Sequence, residues 1–206
     1  MLNIENKFLL KKNLSAENKR LVADIQNEWG KQNHGVLHFQ EIALRELLKA
    51  YPGNKNYDEV LTKCAFINDM FSTHVYNEEL KEIATKISSY AEFDGKLSDG
   101  KQNELITMIS KNERGILLSF ATKYCAVHQE KRFPIYDSLV VNALCYYQKE
   151  DNFYTKGFAK KGLKDYGKYM TVYDAFISYY GLTDCSYREV DKYLWTIVKM
   201  SSNKQT

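Results

Sequence analysis

Residues 113–147 read ERGILLSFATKYCAVHQEKRFPIYDSLVVNALCYY, and they contain two helical patterns on either side of a short loop. The apolar spacing predicts a first helix over Ile116–Val127. The basic loop Gln129–Arg132 follows, and Pro134 then requires an extended residue before it. Asp137 stands where the N-cap of a second helix belongs. This stretch therefore predicts a helix, a short fixed loop and a second helix.

The rest of the chain shows the same 3.6-residue apolar period, interrupted by glycine, proline and capping residues. No run has the alternation of a half-buried strand. We therefore predict an all-α fold of about nine helices, near residues 15–29, 38–51, 57–72, 78–92, 99–110, 113–128, 137–148, 165–180 and 187–200.

We expect these helices to form a single unit of two lobes with a cleft between them. One lobe would hold residues 57–147, and the other would combine 1–56 with 148–200. The polar residues 201–206 are expected to be a frayed tail. Residues 149–168 carry six lysines against three acidic residues, which predicts a mobile basic connector.

Composition narrows the class of protein. The net charge of +3 and the pI of about 8.5 permit a nucleic-acid partner without requiring one. The four cysteines form no C-x-x-C pair, and Gly35 between His34 and His38 argues against a metal-binding helix, so we assign no metal and no disulfide framework. No signal peptide or apolar stretch of membrane-spanning length is present. We therefore expect a cytoplasmic protein without a membrane span.

The carboxylate of Asp137 has two interpretations. Aspartate is among the commonest N-cap residues, so its role could be structural alone. A carboxylate fixed at a helix entrance can also stabilise positive charge or orient a water molecule. The residues around it leave both interpretations open.

Two segments carry a resemblance to a known family. The first has Pro134, Ile135, Tyr136, Asp137, Ser138 and Val140 between two helices, and the second is Ala65–Thr73. Together they resemble the core of the helix-hairpin-helix DNA glycosylase superfamily. In that family the aspartate of a Pro-Val-Asp-Thr-His-Val type segment is catalytic, and an early helix carries polar residues that face a flipped base.

The resemblance implies a site built from three groups of residues. Asp137 would be the catalytic carboxylate. The base pocket would contain Asn68, Ser72, Thr73, Tyr124 and Tyr136. The DNA backbone would be held by Lys111, Arg114, Lys131, Arg132 and Ser138. The implied partner is duplex DNA with one base flipped out of the stack, bound by a monomer that needs no cofactor.

This chain departs from the family's pattern in two places. One more residue separates Pro134 from Asp137 than in the commonest form. The glycine-rich hairpin that presents backbone N–H groups to a phosphate lacks its Gly-x-Gly, and only Gly115 lies near the expected position.

The family's bifunctional members use a lysine on the first helix, at positions that correspond to Leu117–Ser119 here. Lys123 is the nearest amine on that helix. It lies five residues past Leu118, which rotates it by roughly 140° at 3.6 residues per turn. We therefore expect water to be the nucleophile and keep Lys123 only as a weak alternative.

Two functions of other classes stay open. One is a non-catalytic helical DNA-binding or regulatory protein in which Asp137 is only a cap. The other is a helical protein-interaction module, such as a component of a phage-defence system. An accessible carboxylate beside a base-sized pocket would favour the enzyme.

Overall fold

The structure, a computed structural model, describes residues 4–32, 36–100, 102–112 and 115–202. Within these ranges the chain forms ten α-helices, which confirms the predicted all-α class. They are α1 Ser15–Gln32, α2 Val36–Ala50, α3 Tyr57–Met70, α4 Asn77–Ser89, α5 Phe93–Asp99, α6 Gln102–Ser110, α7 Leu118–His128, α8 Ser138–Asp151, α9 Tyr166–Tyr179 and α10 Tyr187–Ser202. Short 3-10 helices occupy Asn6–Phe8 and Lys160–Lys164. None of the described helices is long and apolar enough to cross a membrane.

The tenth helix is α5, which lies where the sequence predicted the end of one helix and the start of the next. Phe93 and Leu97, four residues apart, are both buried and hold α5 against the core. Gly100 then ends the helix in the left-handed conformation, with φ of 74°. The predicted helix 99–110 corresponds to α6, which begins at Gln102, whereas α5 itself was not predicted.

A small hairpin replaces the start of the predicted helix 113–128. Strand β1, Lys111–Asn112, pairs antiparallel with β2, Gly115–Ile116, so that Lys111 lies opposite Ile116. The backbone N–H of Leu117 donates to the Ser110 carbonyl at 2.8 Å and closes the hairpin. Helix α7 consequently begins only at Leu118.

The chain divides into two compact units. The first contains residues 1–32 and 134–206, and the second contains residues 33–133. We expected the lobes to divide at residues 57 and 147. The observed division lies elsewhere because α1 packs against α10, while α2 packs against α3.

Buried tyrosines organise the first unit. The hydroxyls of Tyr147 and Tyr193 lie 2.7 Å apart, and Tyr193 also donates to the Phe8 carbonyl at 2.6 Å. The Leu10 N–H in turn donates to the Tyr147 hydroxyl. Each ring therefore adds apolar area to the core while its hydroxyl fixes the N-terminal segment.

The end of the chain differs slightly from the expectation of a frayed tail at 201–206. Helix α10 continues through Ser202. Ser201 is buried, and its hydroxyl donates to the Val198 carbonyl at 2.8 Å. Residues 203–206 lie outside the described part of the chain.

Candidate functional site

Asp137 is the N-cap of α8, as its position in the sequence predicts. Its backbone is extended, and its Oδ1 accepts the N–H of Leu139 at 2.8 Å. The Val141 N–H donates to the backbone carbonyl of Asp137 and begins the helical hydrogen bonds. The side chain is half-buried. The carboxylate is thus held in one direction at the positive end of the helix dipole, with part of the residue open to solvent.

The loop before Asp137 is fixed from beneath by α9. Tyr166 donates its hydroxyl to the Pro134 carbonyl at 3.0 Å, and Tyr169 donates to the Ile135 carbonyl at 2.6 Å. Ile135 itself is buried. Because both loop carbonyls are satisfied by buried side chains, the backbone that leads to Asp137 is held in place.

Tyr136 and Ser138 flank the carboxylate. The Tyr136 ring is half-buried and meets Tyr169 edge-on, with ring centroids 5.3 Å apart. Burial raises the pKa of Tyr136, so the phenol stays protonated at neutral pH. Ser138 is exposed in the first turn of α8. This part of the predicted site offers a fixed carboxylate, a phenol and a hydroxyl within three consecutive residues.

In the second unit, the three predicted residues at the end of α3 form one loop. The Oδ1 of Asn68 accepts from the Thr73 hydroxyl at 2.6 Å and from the Val75 N–H at 2.9 Å. The Asn68 amide donates back to the Val75 carbonyl. Ser72 is exposed and has a φ of 47°, which is unusual for a residue with a side chain. Asn68 and Thr73 therefore shape this loop, and Ser72 is the residue that it presents to solvent.

Tyr124 and Lys123 lie on α7 in the interior of the second unit. Tyr124 has no exposed surface, and its hydroxyl donates to the Oδ1 of Asn54 at 2.6 Å. The buried Lys123 places its Nζ 3.0 Å from the Ser119 hydroxyl and 5.6 Å from the Phe71 ring centroid. In this conformation Tyr124 presents no ring face to a ligand, and the Lys123 amine is held by its neighbours.

A buried polar network around Lys63 is absent from the sequence-based prediction. The Lys63 ammonium donates to the Gly53 carbonyl at 2.6 Å and to the Oδ1 of Asn54 at 2.7 Å. Asn54 donates its amide to the Oδ1 of Asp94 at 2.7 Å. Burial lowers the pKa of Lys63, and the charge of Asp94 partly offsets this effect. The available signal was a lysine between the buried Val60 and Cys64 on the apolar face of α3.

The predicted backbone-binding cations lie on the second unit. Lys131 and Arg132 are exposed in the loop after α7, and Lys111 is exposed in β1. The Arg132 guanidinium lies close to Gly100. A Cβ added to that glycine would therefore lie only 2.8 Å from Nη1 of Arg132. Arg114 lies outside the described residues.

The predicted site is thus divided between the two units. Asp137, Tyr136 and Ser138 belong to the first unit. The other predicted residues that the structure describes belong to the second. They are Asn68, Ser72, Thr73, Lys111, Lys123, Tyr124, Lys131 and Arg132.

The four cysteines are free thiols in this structure. Cys64 and Cys125 are buried, and Cys145 and Cys185 are half-buried. Across residues 4–32, 36–100, 102–112 and 115–202, no three His, Cys, Asp or Glu side chains come close enough to hold a metal ion.

Comparison with known proteins identifies the family. The HI_0787_N family model, described as an N-terminal domain, matches residues 21–132, which is more than half of the chain. The chain therefore belongs to this family. The matched region ends at Arg132, and the second unit ends one residue later, at Phe133.

The chain is also similar to an individual protein. An uncharacterized protein of Haemophilus influenzae is 32% identical over 145 residues, which cover 69% of this chain and 67% of that protein. No solved structure matches the chain significantly.

Proposed function

We propose that this member of the HI_0787_N family is a DNA N-glycosylase that removes an abnormal or modified base with water as the nucleophile. The observation that supports it most directly is the Asp137 carboxylate, which is fixed by the Leu139 N–H, half-buried, and carried by a loop that two buried tyrosines immobilise. A catalytic group has to be held in place by its surroundings, and the hydrogen bonds of Asp137 and of the loop before it support such a role.

The chemistry needs such a carboxylate. Breaking an N-glycosidic bond develops positive charge on the sugar, and a fixed negative charge nearby stabilises that state. A water molecule that hydrogen-bonds to Asp137 would attack the sugar carbon as the bond to the base breaks. The base leaves with the electron pair of the broken bond and takes up a proton from solvent, while the proton of the attacking water passes to the carboxylate and then to solvent. This reaction requires no cofactor.

Several side chains are suited to recognition of the base and the DNA strand. The protonated phenol of Tyr136 can stack on a base or donate a hydrogen bond, and the hydroxyl of Ser138 can donate to a phosphate. In the second unit, Ser72 is exposed in the loop that follows α3 and is the candidate there for contact with a base. Lys111, Arg114, Lys131 and Arg132 are the candidates for phosphate contacts there. The proposal includes duplex DNA as the partner, a monomeric protein and a cytoplasmic location.

A second candidate function has an observation of its own. The hydrogen bond from the Leu139 N–H is the contact that an ordinary N-cap aspartate makes. That contact, together with the full burial of Tyr124, fits a non-catalytic DNA-binding or regulatory protein, including one that acts in phage defence.

The decisive experiment is Asp137→Asn, tested for base release from a panel of duplexes that each contain one modified base. Asparagine keeps the cap and removes the charge. We expect base release to fall at least a hundredfold, with unfolding and DNA binding nearly unchanged.

The matched control is Asp165→Asn. Asp165 caps α9 through the Lys168 N–H at 2.9 Å in the same unit, so this variant has the same change in charge and the same kind of cap. It should keep its activity. A wild-type protein that releases no base from any duplex, or an Asp137→Asn variant as active as Asp165→Asn, would leave Asp137 as a cap and favour the non-catalytic function.

A further inference from the structure

The segment between α8 and the first turn of α9 carries an uneven distribution of charge. Residues 152–168 contain five lysines and one acidic residue, Asp165. All five lysines are exposed. We call them the lysine surface: Lys156, Lys160, Lys161, Lys164 and Lys168.

The backbone under the lysine surface is packed, which corrects the expectation of a mobile connector. Phe153 is buried and meets the Phe176 ring edge-on, with centroids 5.4 Å apart. Leu163 has no exposed surface and lies within the 3-10 helix Lys160–Lys164. The lysines therefore project from a backbone that is anchored at two apolar residues.

The positive charge of the surface has no ion-pair partner in the part of the chain that the structure describes. Among the described residues, no carboxylate forms an ion pair with any of the five ammonium groups. Lys160 donates to a neutral group, the Oδ1 of Asn142, at 2.6 Å. Asp165 is occupied as the cap of α9, where it accepts the Lys168 N–H. The charge is thus left for an external anion.

The surface is attached to the elements that hold Asp137. Asn142, the partner of Lys160, lies on α8 five residues after Asp137, which is about 7.5 Å along the helix axis. Tyr166 follows the 3-10 helix by two residues and anchors the Pro134 carbonyl of the loop that leads to Asp137. The lysine surface and the carboxylate therefore belong to one packed part of the first unit.

We propose that the lysine surface binds the phosphates of the DNA strand on which Asp137 acts. This inference rests on the proposed function and adds a second phosphate-binding element to it, on the unit that carries the carboxylate. The lysines are spread over thirteen residues and do not converge on one point. Such a spread suits a repeating polyanion better than a single phosphate.

The test is the salt dependence of binding to a short unmodified duplex, measured by fluorescence anisotropy. The variant is Lys161→Gln with Lys164→Gln, because neither side chain is paired in the described structure. Loss of two phosphate contacts should reduce the slope of log K against log salt by about 1.8, at 0.9 per contact. The control is Lys49→Gln with Lys81→Gln, which has the same change in net charge on exposed helical positions of the second unit. We expect its slope to equal that of the wild type.

The outcomes separate the two proposals. An unchanged slope in the Lys161 and Lys164 variant, or an equal loss of slope in both variants, would overturn the proposal that the lysine surface binds phosphates. The proposed enzyme activity would still be decided by the base-release test. A wild-type protein without salt-dependent duplex binding would overturn both. A slope that falls only in the Lys161 and Lys164 variant supports the lysine surface, whatever the outcome for Asp137→Asn.

Discussion

At the scale of single residues, His128 makes the second unit sensitive to acid. Its Nδ1 lies 2.8 Å from the Tyr124 carbonyl, and its Nε2 is shielded from solvent without a partner among the described residues. Burial lowers the pKa of His128 from 6.5 to about 4. The folded state therefore keeps the ring neutral at a pH where the unfolded chain binds a proton. The resulting stability is present above pH 6.5 and is lost as the pH falls to about 4.

We expect the free energy of unfolding to fall by up to about 3 kcal/mol over that interval because of His128. Urea unfolding of the wild type and of His128→Asn at several pH values measures this contribution. Asparagine offers an amide donor to the Tyr124 carbonyl and does not titrate. Parallel pH profiles for the two proteins would show that the imidazole has no role in the acid sensitivity.

If the proposed base excision takes place, the setting of Lys123 predicts what happens to the DNA strand after the base has left. A covalent mechanism needs an amine that can attack the sugar. The Lys123 amine is instead buried and hydrogen-bonded to Ser119. We expect no protein–DNA adduct on borohydride treatment and an intact abasic strand that breaks only in alkali. An adduct that forms with the wild type and disappears in Lys123→Ala would make this lysine the nucleophile.

At the scale of elements, the turn after α9 is held against the start of α1. Gly181 has a φ of 65°, and its carbonyl accepts from the Ser15 hydroxyl at 2.6 Å. A Cβ on Gly181 would lie 2.6 Å from the side-chain atoms of Ser15. Gly181→Ala combines backbone strain with this clash, so we expect a loss of roughly 2–5 kcal/mol in the free energy of unfolding.

Gly157→Ala is the matched control for that prediction. Gly157 has a similar φ of 62°, but an added Cβ would meet no atom within 4 Å. Gly157→Ala should therefore lower the free energy of unfolding only through backbone strain, by about 1–2 kcal/mol. Equal losses in the two variants would mean that Ser15 moves aside without cost.

The elements also show what the sequence could and could not predict. The cap at Asp137 was predictable because capping depends on neighbouring residues alone. Helix α5 was missed, since its seven residues carry only the apolar pair Phe93 and Leu97, which is too short a pattern to indicate a helix. The network of Lys63, Asn54 and Asp94 was out of reach, because it depends on Asp94, which lies forty residues after Asn54 in the sequence.

At the scale of the whole molecule, a small net charge hides separate basic regions. The chain is only +3 overall, yet Lys131 and Arg132 are both exposed in one loop of the second unit. If they contact phosphates, replacing both with alanine should flatten the salt dependence of duplex binding by about 1.8 in the log–log slope. The measurement is a binding titration at several salt concentrations. A slope equal to that of the wild type would exclude these two side chains as phosphate ligands.

The division into units also differs from the expected lobes for a reason that a single sequence does not display. Helix α1 is amphipathic, but its pattern cannot say which distant helix covers it. In the structure Val22 and Ile25 are buried, and α1 packs against α10. A contact between the first and last helices transfers residues 1–32 to the unit that contains 134–206.

That contact has a consequence for how the protein is made. A ribosome adds about 5–20 residues per second, so α10 emerges roughly 8 to 30 seconds after α1. Residues 33–133 form a continuous unit and can fold during that interval, whereas Val22 and Ile25 stay uncovered until α10 has been synthesised. The nascent chain therefore exposes the apolar face of α1 until α10 follows, and we expect a ribosome-associated chaperone to bind α1 during that time.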